Sequence, residues 1–144
     1  MAYCLMPNHY HFLFCQNEDG SISKFLQILF NAYTQALNLQ CHRSGTLFEG
    51  RAKGMSVDCD RYLFQVIRYI HLNPVSAKLV VHPEEWYASD YRVWIDEEAP
   101  GLTNLSLRDE QFGGGLEYKK FVEEYQKELL EGEITRLLID SAVS

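Results

Sequence analysis

Four residues in this sequence have the types and spacing to do chemistry together: His9, His11, Tyr69 and Asn73. In the run AYCLMPNHYHFLF the two histidines stand two positions apart among apolar residues. On a β-strand, residues i and i+2 face the same side, so the two imidazoles would lie side by side while Tyr10 and Phe12 face the other way. Two neutral imidazoles placed like that can hold one divalent ion. Tyr69 and Asn73 are four residues apart, which on a helix puts them on one face, a turn apart. A tyrosine phenol can attack phosphorus when a metal polarises the phosphate, and an amide oxygen one turn along can complete the ion's shell. Imidazole with hard oxygen, and positions left open for phosphate oxygens, suits Mg2+ or Mn2+ better than a closed zinc site. Spacing leaves the plainer alternative open: two packed, hydrogen-bonded histidines, and an amphipathic core tyrosine whose hydroxyl reaches the surface.

The elements that must position these residues follow from the local pattern. Residues Ala2 to Cys15 read as a strand, with Pro7 marking a kink, bulge or edge position because it cannot donate to a ladder. After the turn QNEDG, Ser21 or Ser23 can cap a helix ending near Gln40, with one buried face built from Ile22, Phe25, Leu26, Leu29, Phe30, Tyr33 and Leu37. The stretch HRSGTLFEGRAKGMSV, with glycines at 45, 50 and 54, predicts an irregular hairpin or loop exposing Arg51 and Lys53. Asp58 or Asp60 then caps a second helix with apolar Tyr62, Leu63, Val66, Ile67 and Ile70, and Pro74 stops it. Tyr62 lies about two turns before Tyr69 on a similar face and is the rival nucleophile. His71 turns away from Tyr69, toward the surface or into packing. The aromatic stretch WYASDYRVW predicts a strand or docked loop. Its Trp86, Tyr87, Tyr91 and Trp94 read first as a plug over the core and second as a platform for unpaired bases. Residues 96–115 look like a linker, and residues 116–144 like an acidic, solvent-facing helical extension.

The whole chain sets bounds on function. With 144 residues it suits one domain with a tail. The sequence has no apolar run of the ~18 or more residues a spanning helix needs, so no membrane partner and a cytoplasmic location are expected. Cys4, Cys15, Cys41 and Cys59 show no CxxC pairing, which predicts reduced, mostly buried thiols and argues against a zinc site made from them. The net charge of -7 speaks at first against nucleic acid. The average hides an asymmetry, however: Met1 to His82 carries +2 and all five histidines, and Pro83 to Ser144 carries -9. A nucleic-acid surface would belong to the first part, where Arg51, Lys53 and Arg68 are the candidates for DNA phosphates.

AYCLMPNHYHFLF, GTLFEGRAK and RYIHLNPVSAKLV followed by WYASDYRVW resemble, over about residues 2 to 95, the REP-associated tyrosine transposases, members of the HUH group of single-strand DNA transposases and nucleases. The resemblance implies an α+β, ferredoxin-like antiparallel sheet with helices on one face. It makes His9 and His11 the paired metal ligands, Asn73 the third, and Mg2+ or Mn2+ the ion. Tyr69 becomes the nucleophile that cleaves and rejoins single-stranded or hairpin DNA through a 5′-phosphotyrosine. Members of that family carry a strand and a helix before the histidine strand, and here Met1 immediately precedes it. The expectation is therefore an N-terminally truncated member: a decaying copy, one whose sheet is restored by a homodimer, or one whose start is misplaced. The alternative function is a catalytically inactive DNA-binding remnant of such a transposase.

Overall fold

Pro7 and Asn8 turn the N-terminal apolar run back on itself. In the computed structural model the described residues are 1–50, 52–57, 60–96 and 103–142. The run forms two antiparallel strands, β1 (Ala2–Leu5) and β2 (Tyr10–Leu13), in the register Ala2↔Leu13, Tyr3↔Phe12, Cys4↔His11 and Leu5↔Tyr10. The Met6 N–H donates to His9 O at 2.9 Å across the turn. This corrects the single strand expected from Ala2 to Cys15: Pro7 sits in a tight turn, where its fixed φ and missing donor are assets. The other edge of β1 is covered by WYASD, since Leu5 N–H donates to Ala88 O at 2.8 Å and Cys4 forms an isolated bridge with Ser89. The Trp86 indole N–H adds a bond to Leu5 O at 3.0 Å. Among the described residues β2 has one strand neighbour, β1.

Helix α1 (Ile22–Gln40) belongs to a compact unit of its own, Phe14–Asp58, while Met1–Leu13 and Cys59–Ser144 form the second. Ser21 caps it, its Oγ accepting the Lys24 N–H at 3.3 Å. The expected buried face is absent: no residue of α1 is buried, and Phe25, Ile28, Leu29 and Tyr33 are exposed. Apolar periodicity sets where a helix forms, whereas burial needs a partner. Within this unit Phe48 stacks on Phe30 at 4.6 Å, and Phe14 meets Phe25 edge-on at 5.6 Å.

Helix α2 (Asp60–Ser76) carries the second half of the candidate site. Phe64, Ile67, His71 and Pro74 are buried at helical spacing, which aims one face at the core. Pro74 does not stop the helix as expected; α2 continues through it to Ser76. The restriction a proline places on its predecessor is a bias, and here burial of Pro74 outweighs it. Ala77 N–H still reaches Asn73 O at 2.9 Å, and the chain leaves the helix at Lys78, whose φ is 58°.

Beyond a 3-10 turn (Pro83–Glu85) come α3 (Tyr91–Ile95), α4 (Ser106–Phe112) and α5 (Gly115–Ala142). The segment expected as a linker thus contains a helix, and the first turns of the expected solvent-facing extension contribute to the core. Tyr118 and Val122 of α5 are fully buried with Ala2, Phe64, Ile67, Leu72, Tyr91 and Trp94, while Phe121 and Tyr125 pack against this cluster. Positions 118, 121, 122 and 125 form one helix stripe, which the mixed charge around it obscures in the sequence. Tyr91 and Trp94 are plug residues, as read, whereas Tyr87 is exposed. Cys4 is buried; Cys15 and Cys41 are exposed, against expectation. Among the described residues no helix is long and apolar enough to cross a membrane. The class is α+β.

Candidate metal and nucleophile site

The hairpin register decides which histidine faces what. His11 stands opposite Cys4, a fully buried residue of β1, so both point to the side where α2 packs. His9 lies just before β2 and keeps the same alternation; its ring meets that of His11 edge-to-face at 5.0 Å. Tyr10 and Phe12 pair on the opposite side, with ring centroids 5.2 Å apart. From α2, the Tyr69 ring comes edge-on to His11 at 5.5 Å, and 58% of Tyr69 remains exposed. His9, His11 and Tyr69 are therefore one contiguous group, made by residues 58 positions apart between His11 and Tyr69.

The electrostatics favour a neutral His11. Burial lowers its pKa below 6.5, the neighbouring His9 lowers it further, and a hydrogen bond with the Asn73 side chain opposes both. His11 Nε2 is buried and makes no hydrogen bond. Such an atom is costly in a protein interior and is accounted for if it ligates a cation. His9 Nδ1 lies 2.7 Å from Asn8 Oδ1, an oxygen that can only accept, so Nδ1 donates to it. Asn73 Nδ2 donates to the Tyr69 carbonyl oxygen at 3.4 Å, one turn back on α2. Among the described residues no three His, Cys, Asp or Glu side chains form a metal-holding group. The donors that fit an ion here are two imidazoles and one amide oxygen, a set that leaves half of an octahedral shell to oxygens from elsewhere.

Of the other expected residues, Arg68 is not brought to this cluster. Arg68, beside Tyr69 in sequence, turns to the other side of α2 and stacks on α5, 4.4 Å from the Phe121 ring and 3.8 Å from the Tyr125 ring. It also hydrogen-bonds Gln65, and burial lowers its pKa. Lys53 is exposed in the Phe14–Asp58 unit, and Arg51 lies outside the described residues. Tyr62 is 48% exposed on the same stripe of α2 as Tyr69.

A polar network behind the site was not legible in the sequence. His71 is fully buried, with Nε2 3.1 Å from Asp90 Oδ1 and Nδ1 2.7 Å from the Tyr118 hydroxyl. Asp90 also accepts the Tyr3 N–H at 2.7 Å, the Trp94 indole N–H at 3.1 Å and the Thr103 hydroxyl at 2.8 Å. Burial pushes its carboxyl up, but the hydrogen bond and charge attraction from His71, with the bonds from Tyr3 and Thr103, outweigh this and hold its pKa below 3.8. His71 follows Tyr69 by two residues and was expected only at the surface or in packing. The available signal was a pair, a histidine inside a buried-helix pattern with an aspartate amid aromatics, and only the fold joins them.

The cluster combines the partly buried His11 imidazole, the exposed His9 imidazole, an amide side chain and an accessible phenol, a set with the donor types to hold a divalent ion and a phenol beside them. No family model, curated protein or solved structure matches this chain.

Proposed function

We propose that this protein is a metal-dependent DNA transposase or nickase of the HUH type, with Tyr69 as nucleophile. The observation that carries this reading is the His9–His11–Tyr69 group, with ring centroids 5.0 and 5.5 Å apart and the buried His11 Nε2 without a hydrogen bond. His9, His11 and Asn73 would hold Mg2+ or Mn2+, which when bound supplies charge neutralisation at the phosphate. Tyr69 Oη attacks a phosphodiester of single-stranded or hairpin DNA, forming the O–P bond of a 5′-phosphotyrosine as the P–O3′ bond breaks and a 3′-hydroxyl leaves. One phosphoester replaces another, so rejoining to a second 3′-hydroxyl needs no energy source. Most of Tyr69 is open to solvent, as attack on a polymer requires.

The same reading includes a ferredoxin-like sheet and a cytoplasmic location. It also includes a homodimer, for which the exposed Phe25, Ile28, Leu29 and Tyr33 of α1 offer apolar surface. Arg68 is engaged with α5, so phosphate contacts in this reading fall to Arg51 and Lys53. Incubation with Mn2+ and a single-stranded hairpin oligonucleotide should give a covalent protein–DNA adduct that Tyr69→Phe abolishes and Tyr62→Phe retains. An absent adduct with DNA binding intact would make the protein a silent DNA-binding remnant. An adduct that survives Tyr69→Phe would move the nucleophile elsewhere.

A further inference from the structure

The His71–Asp90–Tyr118 network sits where the two halves of the site must be held in register. Asp90 bonds the backbone N–H of Tyr3, whose neighbour Cys4 faces His11 across the hairpin. Through the same oxygen it bonds His71, which stands between Tyr69 and Asn73 on α2. Its second oxygen takes Trp94 of α3 and Thr103. One carboxylate thus receives four donors from separate parts of the chain.

The network is also complete. The ionised Asp90 carboxylate can only accept, so His71 Nε2 donates to it, and Nδ1 pairs with the Tyr118 hydroxyl of α5 at 2.7 Å, a group able to donate or accept. Both ring nitrogens of a fully buried histidine are thus paired in one ring orientation. Hydrophobic packing alone tolerates small sliding of a helix over a hairpin, whereas a buried ring held at both nitrogens does not.

We infer that His71, Asp90 and Tyr118 are positioning residues that lock α2 against the hairpin, so that the Tyr69 phenol is held beside His11. The inference rests on the reading of Tyr69 as the nucleophile. None of the three touches the reacting atoms; they act through the α2 backbone.

The test uses Tyr118→Phe, which keeps the ring that packs 4.9 Å from Trp94 and removes only the hydroxyl. The control is Val122→Ala, one turn along α5 in the same buried cluster and outside the network. In metal-free protein at a temperature where both variants are folded, NMR would follow the cross-relaxation between the His11 and Tyr69 rings. With Mn2+ and hairpin DNA, the single-turnover rate of adduct formation and the dissociation constant for the oligonucleotide would be measured. Tyr118→Phe should weaken the ring-to-ring signal about twofold or more and slow the adduct about tenfold, since an error of about an ångström costs ~10²-fold. Its DNA affinity should stay unchanged, and Val122→Ala should keep the signal and the rate. Wild-type values of both in Tyr118→Phe would overturn the inference, as would equal losses in Val122→Ala. A wild-type protein that forms no adduct would instead overturn the functional reading, and the metal-free ring contact would still decide whether the network positions Tyr69.

Discussion

At the scale of the residue, the proposed metal-binding role of His11 requires a neutral imidazole. Burial and the neighbouring His9 lower its pKa from 6.5, and the Asn73 hydrogen bond works against them. In a proton NMR titration of the metal-free protein, His11 should therefore titrate below pH 6.5. Asn73→Ala removes the opposing contribution and should move the midpoint further down; a midpoint that rises would take Asn73 out of the site. The same-face placement of His9 and His11 was readable from a two-residue period, and that of Tyr69 and Asn73 from a four-residue one. The place of His71 was not, because a histidine on a helix becomes a core residue only when partners for both nitrogens arrive from elsewhere. Those partners, Asp90 and Tyr118, lie 19 and 47 residues away.

At the scale of the element, α5 is the main departure from expectation. Its first residue, Gly115, lies so close to the end of α3 that a Cβ would sit 2.5 Å from Ile95 O. Alanine normally favours a helix over glycine, yet Gly115→Ala should here cost about 2 kcal/mol, lowering Tm by about 8 °C for a chain of this length. A stability equal to wild type would mean that α5 does not dock as described. Arg68 supplies a second tie: its guanidinium lies over two α5 rings, a contact of about 1 kcal/mol each way of removing it. Arg68→Ala should lower thermal stability by that order while leaving DNA affinity nearly unchanged, and a large loss of affinity would return Arg68 to the phosphate contacts. The burial of Tyr118 and Val122 escaped the sequence reading because a stripe of four apolar positions is diluted by Lys119, Lys120, Glu123 and Glu124 between them.

At the scale of the whole molecule, Asp90 couples stability to pH. Its carboxyl titrates below 3.8 when folded, so the unfolded chain binds its proton first as pH falls. The stabilisation is fully present above the unfolded value and is lost as pH drops through the folded one. Calorimetry across the acid range should show Tm falling below about pH 4. In Asp90→Asn the neutral-pH Tm should be lower and the acid limb flatter; an unchanged acid limb would mean that another carboxylate governs it.

The sequence by itself determined the shared face of His9 and His11, the existence of α1 and α2 and the charge asymmetry. These follow from local periodicity and from the types of neighbouring side chains, which a chain carries before it folds. Only the tertiary structure decided that Pro7-Asn8 is a hairpin turn, that α2 passes through Pro74, that α5 closes the core and that Arg68 faces α5. It also decided that His71 is the buried partner of Asp90. Apart from the local hairpin turn, these depend on contacts between residues far apart in the chain, where packing and hydrogen-bond completion outweigh local preference.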